Sequence, residues 1–275
     1  MDQGMDTDMT IVQSIRRYKY LPYSCGSLQI IKDGTMKFTR PSKVNDPFDC
    51  APDFDTADLK KHIMSRPELL NMSNCLEHIN DLKVAIDKGL FNQVADESIG
   101  ICSLSRDPLN LLMWAHYAEH HKGFVIEFDI PVSVEAEDEP TPQRRLEWLV
   151  PFEVEYEDSK PVVTMTDSKE EKLRKQFLVK GTHWLYEQEE RTIDHIRGAG
   201  IHSYDRKTIL YSVIAGMKMD ERDCQTLLRY VKQLNSDMDM NVQVHKTASV
   251  KGKFELFVPD RPDLKATHIN LSIVK

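Results

Sequence analysis

The sequence predicts an α+β fold, a single mixed domain with a central, mostly antiparallel sheet flanked by helices. Strand and helix patterns mix along the chain without the regular alternation of a doubly wound parallel sheet. Neither G-x-G-x-x-G nor G-x-x-x-x-G-K-[ST] occurs, which argues against Rossmann and P-loop architectures. At 275 residues, with 40% apolar and 29% charged side chains, the chain suits one elaborated core rather than two compact ones. Residues 1–14 read as a flexible acidic tail and residues 15–275 as the single domain.

The opening unit is strand, helix, strand. Residues 17–23 (RYKYLPY) read as a strand, residues 28–32 as a short helix closed by Asp33-Gly34, and residues 36–39 as a second strand. Asn45-Asp46-Pro47 is a turn, since Asn and Asp bond their own backbone and Pro pre-sets φ. Residues 56–94 are helical and polar, broken at Pro67, with Gly89 as a cap. Residues 99–104 (IGICSL) form a buried strand. Asp107-Pro108 starts a helix that runs to about Lys122 and ends at Gly123.

Phe124, Ile126, Phe128 and Ile130 alternate with Val125, Glu127 and Asp129, the pattern of a half-buried strand, with residues 152–156 as its expected neighbour. Residues 134–145 read as an exposed acidic loop. Leu173, Phe177 and Trp184 give residues 168–184 helical spacing, whereas residues 187–193 and 209–215 read as strands. A helix over residues 221–234 and strands at 242–245, 254–258 and 269–274 complete the chain.

The formal charge of −8 argues against non-specific nucleic-acid binding through a broad basic surface and leaves a local basic cleft open. No apolar run reaches the roughly 18 residues of a membrane span, and the start is acidic and polar, so the expectation is a cytoplasmic protein without a membrane partner. Cys25, Cys50, Cys75, Cys102 and Cys224 are odd in number and contain no C-x-x-C pair, which argues against a disulfide framework or a structural zinc.

Three constellations could carry chemistry. In WLYEQEER, residues 184–191, a strand would put Glu187, Glu189 and Arg191 on one face, where paired carboxylates can divide roles between charge stabilisation and proton transfer. The alternative is an ion-pair network tying helix to sheet. His116 and His120 stand at i, i+4, with no third ligand in view and no H-E-x-x-H frame, so no metal is assigned; Trp114 on the same helix reads as core, and His116 as a packed or a catalytic histidine. Lys19 and Arg40 suit phosphates, and Tyr18 and Tyr20 suit stacking on a base or pyridine ring. Cys102, Ser103 and Ser105 lie near a helix start without a G-x-S-x-G elbow, which argues against a hydrolase triad.

YKYLPY (18–23), NDPFDC (45–50), LMWAHYAEHHKGFVIEFD (112–129) and WLYEQEER (184–191), in this order, resemble a widespread bacterial domain-of-unknown-function family over residues 18–216. Its hallmarks are an N-D-P-F turn, an M-W-x-H-Y helix and a W-x-x-E-x-E-x-R segment. More distantly, the layout resembles the ADP-ribosyltransferase-like fold. That resemblance implies NAD as substrate and no metal. It implies Lys19 or Tyr20 in the first-strand role, Thr39 or Ser42 in the second-strand role, Glu189 as the late glutamate and Glu187 as the upstream carboxylate of E-x-E. Arg40, Asn45, Trp114, Tyr117 and Arg191 join the expected ligand-binding set, and His116 the catalytic one. The clean H-x-T or arginine first motif and the S-T-S second motif of that superfamily are absent.

The resemblance also implies a toxin or phage-defence role, an unknown macromolecular acceptor (protein or nucleic acid) and a cognate inhibitor protein. Two other readings stand beside it. One is a non-catalytic ligand- or protein-binding module, with Trp114, His116, Glu189 and Arg191 as a buried network. The other is a metal-dependent nuclease using Glu127, Asp129 and the histidines.

Overall fold

A computed structural model describes residues 11–55, 61, 65, 80–81, 83–86, 88–134 and 140–266. Strands and helices are numbered in chain order over these residues. The main sheet has seven strands: β1 (Ile11–Leu21), β4 (Gly100–Ser105), β5 (Phe124–Val134), β6 (Phe152–Glu153), β10 (Glu189–Asp194), β12 (Leu210–Ala215) and β13 (Gln243–Lys246). Their spatial order is β13-β12-β5-β1-β4-β10-β6, antiparallel throughout except for the β12–β13 pair. Parallel neighbours need a long crossover, supplied here by a helix of 18 residues, Glu221–Met238.

Four two-stranded units complete the strands: β2 (Thr35–Phe38) with β11 (Gly200–Ser203), β3 (Asp53–Phe54) with β8 (Val162–Val163), β7 (Glu155–Glu157) with β9 (Val179–Gly181), and β14 (Ala248–Ser249) with β15 (Leu256–Phe257). The helices are α1 (Cys25–Lys32), α2 (Leu90–Ser98), α3 (Leu111–His116), α4 (Pro142–Glu147), α5 (Lys169–Phe177), α6 (Arg206–Ile209) and α7 (Glu221–Met238). The expected α+β class with a mostly antiparallel central sheet is observed. β1 begins at Ile11, inside the expected acidic tail.

The central strand β5 is covered on both faces rather than half-buried. Phe124, Ile126, Phe128 and Ile130 pack against residues of α1 and α7, including Leu28, Ile31, Leu227 and Val231. Val125 on the opposite face packs with Tyr18, Tyr20, Trp114, Ile214 and Leu256. The C-terminal residues Leu256, Val258 and Leu264 thus close a face that the alternating pattern assigned to solvent. β5 pairs with β1 and β12, and not with residues 152–156, whose β6 part pairs with β10.

Four further expectations are corrected. The helix expected over 107–122 is capped by Asn110, whose side chain accepts from Leu112 and Met113, and ends at His116. Glu119, His120 and His121 then turn through left-handed backbone with φ of 48°, 55° and 71°. Asp107 instead accepts from its near neighbour Leu109 at 2.7 Å. Within the expected 134–145 loop, Pro142–Glu147 is helical, its first turn capped by Thr141.

The helix expected over 168–184 stops at Phe177 and is followed by β9 and a 3₁₀ segment, Thr182–Glu187. Its start is set by a capping box between Ser168 and Glu171. The strand expected from 187 starts at Glu189, because Gln188 is left-handed with φ of 43°. The strand expected at 269–274, and most of the helical stretch 56–94, lie outside the described residues; within the latter, α2 is observed.

Candidate active site

The site lies where the main sheet is least continuous. Among the described residues β1 meets β4 at a single register position, Tyr18 opposite Ser105, although β1 pairs with β5 along its whole length. Beside that position Lys19 Nζ donates to the carbonyl of Ser103 at 2.7 Å. An open cleft of about 80 Å³ results, lined by Tyr18, Lys19, Tyr20, Met113, Asn45, Tyr117, Lys180, Glu187 and Glu189.

Glu187 and Glu189 arrive there from different elements, the end of the 3₁₀ segment and the start of β10. They converge on the ammonium of Lys180, from β9, whose Nζ lies 2.5 Å from Glu187 Oε2 and 3.0 Å from Glu189 Oε2. Glu187 Oε1 accepts from the Tyr117 hydroxyl, which itself accepts from the Asn45 side-chain amide. Glu189 is held more tightly still. Arg191 donates Nε to its Oε1 at 2.8 Å and a terminal nitrogen to its Oε2 at 2.9 Å, and Tyr156 Oη accepts from its backbone N–H at 2.8 Å.

Arg191 is itself completely buried and turns its remaining donors to Asp49, at 2.9 and 2.5 Å, and to the carbonyl of Phe177 at 2.7 Å. A buried guanidinium with every partner in place is a fixed object, so Glu189 is oriented from below the cleft floor.

These surroundings drive the two carboxyls apart. Burial opposes charge on Glu189, but Arg191 and Lys180 outweigh it and hold the group well below the usual glutamate range. Burial raises Glu187 above that range; Lys180 opposes the rise and the charge of Glu189 reinforces it. Burial, followed by the neighbouring Glu187, also pushes the Tyr117 hydroxyl upward, so it stays a donor. Two carboxyls separated in this way are the usual ground for assigning different roles to each.

Of the residues singled out in the sequence, Tyr18, Lys19, Tyr20, Asn45, Ser103, Ser105, Tyr117, Glu187 and Glu189 line the cleft. Tyr20 Oη donates to the carbonyl of Asp107 at 2.6 Å, which fixes its ring in the cleft wall. The others do not line it. Thr39 bridges Ile101 through backbone bonds, while Arg40 and Ser42 are exposed, the Ser42 amide donating to Asp96 at 2.7 Å. Trp114 is fully buried, donates Nε1 to Pro108 and stacks edge-on with Tyr20, so it is core and not a ligand platform. His116 is exposed beside the rings of Tyr117 and Tyr186. Arg191 lies beneath the floor and acts through Glu189.

Lys180 and Asp49 were not among the candidates. Asp49 stood in the N-D-P-F turn, but a turn motif gives no hint of an ion pair to a residue so far along the chain. Lys180 is an unremarked basic residue in a region read as helix, and only its placement on β9 aims it at both carboxylates.

The residues of the nuclease reading are engaged otherwise. Glu127 is fully buried, accepts from Arg261 at 2.9 and 3.2 Å and from the Ser212 hydroxyl at 2.5 Å, and Asp129 pairs with Arg16 at 3.3 Å. Among the described residues no three His, Cys, Asp or Glu side chains group as a metal site. Nor, among them, is any helix long and apolar enough to cross a membrane.

No curated protein and no solved structure matches the chain. Residues 113–192, from α3 through β5 to β10, carry Tyr117, Lys180, Glu187, Glu189 and Arg191. That segment matches the family described as Protein of unknown function (DUF2971).

Proposed function

We propose that the cleft is the site of an NAD-consuming reaction in which the nicotinamide–ribose bond is broken and ADP-ribose passes to a macromolecule or to water. The observation that carries this reading is Glu187, a buried carboxylate that reaches the cleft with its protonation state held apart from that of Glu189. Loss of nicotinamide builds positive charge on the ribose, and a carboxylate in a low-dielectric cleft stabilises such charge at little reorganisation cost. Lys19, which also lines the cleft, suits a phosphate, and Tyr18 and Tyr20 line it beside Lys19. The roles therefore shift from the sequence-based expectation: Glu187 is the working carboxylate and Glu189 its brace. A toxin or phage-defence setting, with a macromolecular acceptor and an inhibitor protein, rests on the family resemblance alone.

The test is nicotinamide release from NAD by the purified protein and by Glu187→Gln, with and without cell lysate as acceptor source. Release by the wild type and its loss in a normally folded Glu187→Gln variant are expected. Equal release by both, or none under any condition, would overturn the reading.

A second reading, a non-catalytic binding module, is favoured by the closed Asp49–Arg191–Glu189–Lys180 network, which is a structural brace whatever the cleft does. It predicts that no Glu187 substitution changes any turnover, and that small ligands protect the cleft without being consumed.

A further inference from the structure

We infer that Lys180 is a positioning residue whose one ammonium group, shared by Glu187 and Glu189, decides which of the two carboxylates can change its protonation state. The inference rests on reading Glu187 as the working carboxylate of the cleft, and it names what controls that group.

The charged groups that meet under the cleft are three carboxylates, Asp49, Glu187 and Glu189, and two cations, Lys180 and Arg191. One negative charge is therefore in excess. Arg191 holds Asp49 and Glu189 together, each through both oxygens, and has no bond to Glu187. The excess consequently falls on Glu187. Among the described residues, Lys180 is its one ion-pair partner, at 2.5 Å, and the same ammonium lies 3.0 Å from Glu189 and 3.6 Å from Asp49.

Among the described residues, the other groups facing Glu187 make no ion pair with it. Tyr117 donates to it as a neutral hydroxyl, and Tyr156 and Tyr186, also close enough to feel its charge, are held neutral by burial. Lys19, the second cation on the cleft wall, keeps its charge but directs its ammonium to the Ser103 carbonyl and makes no ion pair with Glu187. Lys180 is fixed in place: its side chain is 2% exposed, and its ammonium lies 4.9 Å from the centre of the Trp184 ring. If the ammonium is removed, Glu187 becomes a buried carboxylate beside Glu189 with no cation in contact, and such a group takes up a proton at higher pH.

The experiment is a carbon-detected NMR titration of glutamate side-chain carboxyls in labelled protein, the Glu187 signal being identified by its loss in Glu187→Gln. Lys180→Met should move the Glu187 midpoint upward by about one to three pH units. Glu189→Gln, which removes the competitor for the ammonium, should move it downward. An unchanged midpoint in folded Lys180→Met overturns the inference. Where that variant does not fold, the Glu189→Gln titration decides, an unchanged midpoint again being fatal. The titration reads the carboxyl directly, so a protein that releases no nicotinamide would sink the proposed reaction and leave this result standing. In a protein that does release it, the acid limb of the pH–rate profile must move with the same sign.

Discussion

Asp49 and Arg191 stand 142 positions apart in the chain and form a fully buried, two-pronged ion pair, with nitrogen–oxygen distances of 2.9 and 2.5 Å. The pair ties the N-D-P-F-D turn to the underside of β10. Removing one member of a buried pair leaves the other charge uncompensated, at a cost of about 3–5 kcal/mol. Asp49→Ala should therefore lower stability by about that amount in urea unfolding. A loss no larger than that of a typical surface substitution would show that the pair is not buried in solution.

Glu187 and Glu189 should oppose each other in the pH dependence of stability. The folded-state pKa of Glu189 is depressed, so its contribution is present above the unfolded value of about 4.3 and is lost as the pH falls through the folded one. That of Glu187 is raised, so its contribution is present below about 4.3 and is lost as the pH rises through the folded value. Relative to wild type, Glu187→Gln should gain stability between about pH 4 and neutrality, whereas Glu189→Gln should lose it. Unfolding curves across that range check both signs, and parallel profiles for the two variants would contradict the assignment.

Tyr117→Phe removes the hydroxyl that links Asn45 to Glu187, leaving one carboxylate oxygen without its donor. If Glu187 is the working group, nicotinamide release should fall by about tenfold or more, the equivalent of a lost hydrogen bond to a charged group, while the melting temperature moves little. Unaltered turnover in this variant would place the chemistry elsewhere.

Gly123 closes the turn between α3 and β5 where no side chain fits: an added Cβ would lie 2.1 Å from the carbonyl oxygen of Leu21 and 3.0 Å from Ala118. Gly123→Ala should force β1 and β5 apart at that end and cost about 1–3 kcal/mol, as overpacking does. A thermal melt within error of wild type would mean that the turn relaxes freely.

Ser168→Ala removes the capping box at the start of α5, away from the cleft. A loss of about 1 kcal/mol is expected, without change in any cleft activity. An effect on activity would reveal coupling between α5 and the Arg191 network that runs through the Phe177 carbonyl.

Local patterns were legible in the sequence because they report local physics. The period of two in FVIEFDI, the apolar run before Ser105 and the turn chemistry of Asn45-Asp46-Pro47 each constrain a few neighbouring residues, and each forms its element. Where a local preference met a tertiary demand, the reading failed. The helix drawn to Lys122 stops at His116, because the chain must turn back in time to bring Gly123 against Leu21. The helix drawn to Trp184 stops at Phe177, because β9 is needed as a partner for β7.

The candidate site divides in the same way. By itself the sequence determined that Glu187, Glu189 and Arg191 lie within one short segment, that Lys19 and Tyr20 share a strand, and that Asn45 sits in a turn. Only the tertiary structure decided that Glu189 is braced by Arg191 and Asp49, that Glu187 faces the cleft, and that Lys180 stands between them. The reason is physical: alternation along a strand is a property of adjacent residues, whereas the charge state of a carboxyl depends on burial and on partners that folding brings in from distant parts of the chain.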